Sequence, residues 1–149
     1  MRAVVQRVLG SSVTVGEGVA SSIGRGLLVY LGVAPEDGEP DCRYLADKVR
    51  HLRIFPDSNR LMNLDVAQVG GEVLVVSAFT VQCDARRGRR PSFDTAAGPE
   101  QAEELYESFC RLLEEAGVLV RRGAFREYMK VESTNDGPIC VLLDSGRLF

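Results

Sequence analysis

The chain has 149 residues, 45% hydrophobic and 26% charged, with a formal net charge of −3. That length fits one domain with a core of its own, and the composition excludes disordered and fibrous classes. The acidic balance argues against broad nucleic-acid binding, and no apolar run approaches the roughly 20 residues that span a membrane.

Met1 leads straight into strand-like sequence without a signal-peptide pattern, so a cytoplasmic protein with neither a membrane nor DNA as partner is expected. Cys42, Cys83, Cys110 and Cys140 are widely scattered, with no CxxC or Cys/His pairing. This predicts reduced thiols, no zinc site, no redox motif and no cofactor.

Arg2 to Leu9 and Ser12 to Ile23 read as a β-hairpin region, with Val4, Gln6 and Val8, then Val13 and Val15, alternating before the reversal at Gly16-Glu17-Gly18. Gly26 to Val33 is a continuous apolar run, suited to a strand covered on both faces. Asp41 to Arg53 carries Leu45, Val49 and Leu52 at helical spacing, with acidic residues at its start and basic ones at its end. His51, the only histidine, reads as a surface or packing residue.

Ile54 to Asn59 turns the chain, and Leu61-Met62-Asn63 and Val66 to Val69 are short strand candidates. Glu72 to Ala78 is the strongest strand. Gln82 to Ala97 lacks periodicity and reads as a long loop, of a length that tends to be functional. Pro99 to Ala116 is the clearest helix, with an apolar stripe of Ala102, Leu105, Phe109, Leu112 and Leu113 and a stop at Gly117. Val118 to Arg121, Tyr128 to Ser133 and Ile139 to Leu143 complete the strands. Many strands with two helices predict an α/β layered domain over residues 1–149.

Three blocks stand out: Ser77-Ala78-Phe79-Thr80 at the end of the strongest strand, Asp84 to Phe93 with Arg86, Arg87, Arg89 and Arg90, and the turn-forming Thr134-Asn135-Asp136-Gly137-Pro138-Ile139-Cys140. In this order they make the chain resemble the D-aminoacyl-tRNA deacylase family, nearly end to end from Val5-Gln6-Arg7-Val8. Ala78 stands where the family usually has Gln, and Cys140 where it usually has Thr.

The resemblance implies a three-layer β/β/α arrangement with mixed sheets and a homodimer whose active sites lie at the interface. The implied reaction is metal-free hydrolysis of the ester between a D-amino acid, or mischarged glycine, and the 3′ end of tRNA. Phe79 and Thr80 are the implied catalytic residues, and Ser77, Met129, Arg7, Asn135, Gly137 and Pro138 the implied substrate-binding set. The Gly137-Pro138 bond is cis in the family, with carbonyls that reach the partner subunit's pocket and reject an L side chain.

The residues alone leave choices open. Thr80 reads as a nucleophile, a hydrogen-bond partner or a plain β-branched strand end. Arg7 is an outward edge-strand arginine or a support for the Gly-Pro loop. Met129 and Phe79 line a pocket or fill a core. The four arginines clamp tRNA phosphates or decorate a solvated loop. No G-x-S-x-G elbow, HExxH, P-loop or GxGxxG occurs. A labile aminoacyl ester with a neighbouring ribose hydroxyl can nevertheless be cleaved by positioning and oxyanion stabilisation, here through the backbone N–H groups of Phe79 and Thr80. The alternatives are an RNA-end binding module without turnover and a deacylase for small esters or amides.

Overall fold

The computed structural model describes residues 1–148. In chain order the elements are β1 (Arg2–Val15), β2 (Gly18–Ile23), β3 (Gly26–Gly32), α1 (Glu39–His51), β4 (Phe55–Pro56), β5 (Met62–Leu64), β6 (Glu72–Ser77), α2 (Pro99–Glu115), β7 (Leu119–Arg122) and β8 (Met129–Asp144), with a 3₁₀ turn at Phe79–Gln82 after β6. β1 runs unbroken through Gly10, where the sequence reading ended one strand and began another. β8 pairs with it antiparallel from Arg2↔Asp144 to Val15↔Met129, and this ladder carries the chain across the gap.

The first half of β1 is antiparallel to β3, β3 is parallel to β6, and β6 is parallel to β7. Each parallel step is bridged by a helix, as parallel pairing requires. The second half of β1 pairs with β2, so the sheet folds back over itself.

The central strands are apolar on both faces because each face meets a different core. Leu27, Val29 and Leu31 of β3, with Val73 and Val75 of β6, pack against Leu45 and Val49 of α1 and Phe109 and Leu113 of α2. The alternating residues Leu28, Leu74 and Val76 join Val8, Val13 and Ile23 in a second core under the folded-over layer. Three layers, β/β/α, follow from this two-sided burial. Each fully buried leucine contributes about 1.5–3 kcal/mol. At Gly26 a Cβ would lie 1.8 Å from the carbonyl oxygen of Glu72, so only glycine lets β3 and β6 meet there.

Both helices begin at a glycine and a proline. The Gly38 N–H donates to the Asp41 carboxylate at 3.0 Å, and this bond holds that carboxyl below its usual range. α2 starts at Pro99 and buries Leu105, Phe109 and Leu113. His51 lies exposed at the end of α1 beside Asp47.

Two expected elements differ. Val66 to Val69 is a turn, closed by the reciprocal bonds Asp65 N–H to Gln68 Oε1 and Gln68 N–H to Asp65 Oδ1, both 2.9 Å. Val66 is buried there, so its apolar character served packing rather than a strand. The Thr134 to Cys140 segment is not a reversal. It is a bulge within β8, where Asn135↔Val8 and Gln6↔Cys140 set five steps of one strand against two of the other. No helix among the described residues is long and apolar enough to cross a membrane.

Candidate active site

β6 delivers Ser77 to the edge of a cleft of about 580 Å³. The Ala78 N–H still reaches the Leu31 carbonyl of β3 at 2.9 Å, and the chain then tightens into the 3₁₀ turn. The opening residues of such a turn have no upstream carbonyl to bind. Among the described residues, the N–H groups of Phe79 and Thr80 accordingly donate to no protein acceptor, whereas Val81 N–H reaches Ala78 O at 3.1 Å and Cys83 N–H reaches Thr80 O at 3.1 Å. Two free donors therefore sit side by side at the cleft.

Phe79 is 58% exposed and meets Phe93 edge-on, with ring centroids 5.1 Å apart. It is a cleft residue, not a core one. Ser77, Thr80 and Met129 also line the cleft, with Tyr30, Ala97 and Phe125. Ala78 contributes only a methyl group. Gly123 donates its N–H to Val75 O at 2.8 Å, and a Cβ on it would lie 3.0 Å from the Met129 sulfur, so this glycine lets β8 start against the cleft wall.

The loop after the 3₁₀ turn is more ordered than its sequence indicated. Asp84 and Ser92 exchange two backbone hydrogen bonds, both 2.8 Å, making a small hairpin whose tip carries the arginines. They are not equivalent. Arg86 is bound to Asp84 by two guanidinium contacts of 2.9 and 2.7 Å, and this pairing pulls the Asp84 carboxyl well below the usual carboxylate range. Arg87, Arg89 and Arg90 are exposed, and no ion pair involves them among the described residues.

The remaining residues singled out in the sequence gather elsewhere, at the β8 bulge. Arg7 is only 8% exposed and points inward; its Nη1 donates to Ile54 O at 2.6 Å, and its Nε lies 2.9 Å from the Asp136 carboxylate. Asn135 spans the bulge, its Oδ1 accepting from Ile139 N–H at 2.9 Å and its Nδ2 donating to Ile139 O at 3.0 Å. Between these supports the Gly137-Pro138 bond is cis and both residues are exposed. Gly137 has φ +134, and a Cβ there would lie 2.6 Å from Ile139 Cγ1 and 2.8 Å from Ile139 N, so the bulge requires glycine. None of Asn135 to Cys140 is among the residues lining the cleft.

Sequence reasoning missed Gln82, a buried polar residue at the end of the 3₁₀ turn whose side chain donates to Gly32 O at 2.9 Å. It also missed Asp136, the carboxylate facing Arg7. Among the described residues no group of three His, Cys, Asp or Glu side chains is placed to hold a metal ion. The buried thiols of Cys42 and Cys110 are pushed up by desolvation to about 11 and about 12.

The architecture is that of a three-layer α/β domain with a cleft at a strand end, where the free main-chain donors stand beside the side chains of Ser77, Thr80, Arg126 and Glu127 on an otherwise largely apolar wall. Residues 4–144 match the family described as D-Tyr-tRNA(Tyr) deacylase, and the chain belongs to that family. Proteins named D-aminoacyl-tRNA deacylase from Anaeromyxobacter dehalogenans (strain 2CP-C) and Thermotoga petrophila are 58% and 54% identical, over all of this chain and all of theirs. A solved structure of a c-Myc DNA unwinding element binding protein is 40% identical, with TM-score 0.92 over 97% of this chain and 98% of that one. A structure described as a probable eukaryotic D-amino acid tRNA deacylase gives TM-score 0.80 over 96% of this chain and 98% of that one, at 18% identity, a likeness of fold.

Proposed function

We propose that this chain is a D-aminoacyl-tRNA deacylase, a hydrolase that cleaves the ester between a D-amino acid and the 3′ end of tRNA and leaves the L ester intact. Family membership and the names of full-length relatives support the activity. The observation that carries the mechanism is the pair of unbonded N–H groups at Phe79 and Thr80.

As water, assisted by the neighbouring ribose 2′-hydroxyl, attacks the ester carbonyl, negative charge grows on the carbonyl oxygen; collapse then breaks the bond to the ribose 3′-oxygen, which takes up the proton as the amino acid leaves. Two fixed amides pointing at the carbonyl oxygen stabilise it without reorganisation, an effect worth about a hundredfold to a thousandfold per donor. Thr80 adds a hydroxyl at the same rim and acts as a positioning group. Ser77 and Met129 shape the wall that receives the aminoacyl end. Arg87, Arg89 and Arg90 hold acceptor-end phosphates, while Arg86 is already engaged by Asp84.

Chirality is read by the second protomer of a homodimer. Among the described residues β8 has β1 as its one sheet neighbour, and the exposed Gly137-Pro138 step on it, braced by Asn135 and by Arg7 with Asp136, supplies the carbonyls that do the reading. Seated in the partner's cleft, those carbonyls bind the substrate ammonium and occupy the space an L side chain would need. Glycine, without a side chain, passes this filter, so glycyl-tRNA is also a substrate. The protein works in the cytoplasm on the RNA end and without a DNA partner.

Incubation with D- and L-tyrosyl-tRNA tests the reading. Turnover of the D ester alone is expected. Binding without turnover would favour an RNA-end binding module, the second reading, which rests on the bare methyl of Ala78 at the cleft. Inertness toward tRNA with cleavage of small esters would favour the third.

A further inference from the structure

We infer that Gln82 is a positioning residue that aims the Phe79 and Thr80 donors, a role that rests on the deacylase reading above. The pairing of β3 with β6 ends at Leu31↔Ser77, and Ala78 N–H adds one further bond to Leu31 O at 2.9 Å. Beyond that point β6 has left the sheet. The Gln82 side chain returns across the 3₁₀ turn and donates Nε2–H to Gly32 O at 2.9 Å, taking the place of the next rung. The main-chain carbonyl of Gln82 accepts the hydroxyl of Thr95 from the far side of the arginine hairpin.

The turn is thus pinned at both ends, by Ala78 at its start and Gln82 at its end, with the two free donors between. Gly32 completes the seat: a Cβ there would lie 3.1 Å from Ala78 O, 3.1 Å from Val81 Cβ and 3.2 Å from Gln82 Cγ, so the turn rests directly on the β3 backbone. A glutamine that is 3% exposed in a segment otherwise open to solvent is placed for this bond, because a buried amide without a partner is costly. Its reach is the reason for its type. Serine or asparagine in that position falls short of Gly32 O, and leucine fills the space without donating.

Small displacements of a catalytic donor have large kinetic effects: an error of about 1 Å costs about a hundredfold. Gln82→Leu is therefore expected to lower kcat for D-tyrosyl-tRNA by about a hundredfold while KM stays within about threefold, because phosphate and ammonium contacts are untouched. In ¹⁵N NMR spectra the amide signals of Phe79 and Thr80 should shift and broaden while those of β3 and β6 keep their positions. Thr95→Val, which removes the bond to the Gln82 main-chain carbonyl, should act in the same direction with a loss of about tenfold in kcat and serves if Gln82→Leu does not fold. A variant with lowered Tm, unmoved Phe79 and Thr80 amides and unchanged kcat would overturn the inference and leave Gln82 as filling. If the wild-type protein itself fails to cleave D-tyrosyl-tRNA, the deacylase reading falls, and the amide signals still decide whether Gln82 orders the turn.

Discussion

The cleft at the end of β6 and the bulge in β8 solve opposite problems with the same material. At the cleft the N–H groups of Phe79 and Thr80 are left without a protein acceptor; at the bulge the exposed cis Gly137-Pro138 step lies outside the ladder to β1, where its carbonyls are the groups proposed to meet substrate. Each is fixed by a polar side chain that returns to the main chain, Gln82 to Gly32 in the first and Asn135 to Ile139 in the second. The difference lies in what they attract: amides favour developing negative charge, carbonyls favour an ammonium group. An aminoacyl ester carries both, yet the bulge does not line the cleft of its own protomer. The contrast teaches that two sets of main-chain groups with opposite preferences stand apart in one protomer, which is why the proposed function joins them across two.

The largest expected effect breaks the cleft side. Phe79→Pro deletes one donor, and Ala78 at φ −142, ψ 89 lies outside the helical region that a following proline disfavours. A fall of about a hundredfold to a thousandfold in kcat is expected, against a much smaller loss for Phe79→Ala, which keeps the N–H; steady-state kinetics on D-tyrosyl-tRNA compares them. On the bulge side, Gly137→Ala must strain a residue at φ +134 and displace Ile139. With about 1–3 kcal/mol of strain the expected loss is about 5-fold to 150-fold in kcat/KM, accompanied by a poorer D-to-L ratio.

Neutralising Arg87, Arg89 and Arg90 leaves both halves standing and sharpens the comparison by isolating the RNA contacts. KM for the tRNA ester should rise about tenfold at low salt and the log–log salt dependence should flatten by about two to three, with Arg86→Gln contributing less because Asp84 already holds it. Thr80→Val should cost at most about tenfold if the amides carry the oxyanion; a loss beyond about a thousandfold would make its hydroxyl the nucleophile. The smallest effect is a background one. Cys42 and Cys110 have thiols raised to about 11 and about 12, above the ordinary 9.0, so their stabilising neutral form is intact below pH 9 and is lost as pH climbs through those folded values. Thiol labelling at pH 8 should modify exposed Cys140 and spare these two until the protein unfolds.

Much of the fold was legible because burial leaves a simple trace. The apolar run Gly26 to Val33 announced a strand covered on both faces, and the Pro99 helix carried its stripe and its stop. The bulge was misread as a reversal because Asn-Asp-Gly-Pro has the chemistry of a turn whichever way the chain leaves it; only its partner β1, far away in sequence, shows that the strand continues. Arg7 left its direction open because a charged residue on an inward position reads as an outward one until Asp136 and Ile54 are seen beside it. Gln82 gave no signal, since a polar residue in a loop needs no explanation until it is found buried. Asp84 beside Arg86 was visible in the sequence and went unweighed; the charge of the arginine tip is smaller than four for that reason.

In the proposed dimer each site draws its amides from one protomer and its carbonyls from the other. Co-expression of Phe79→Pro and Gly137→Ala subunits carrying different affinity tags, followed by isolation of the doubly tagged species, measures this directly. Random pairing makes half the dimers mixed, each with one site free of both changes, so the unfractionated population should recover about a quarter of the wild-type D-tyrosyl-tRNA deacylation from those sites, and most of the activity should run with the doubly tagged fraction. A mixed dimer no more active than its two impaired parents would contradict the account.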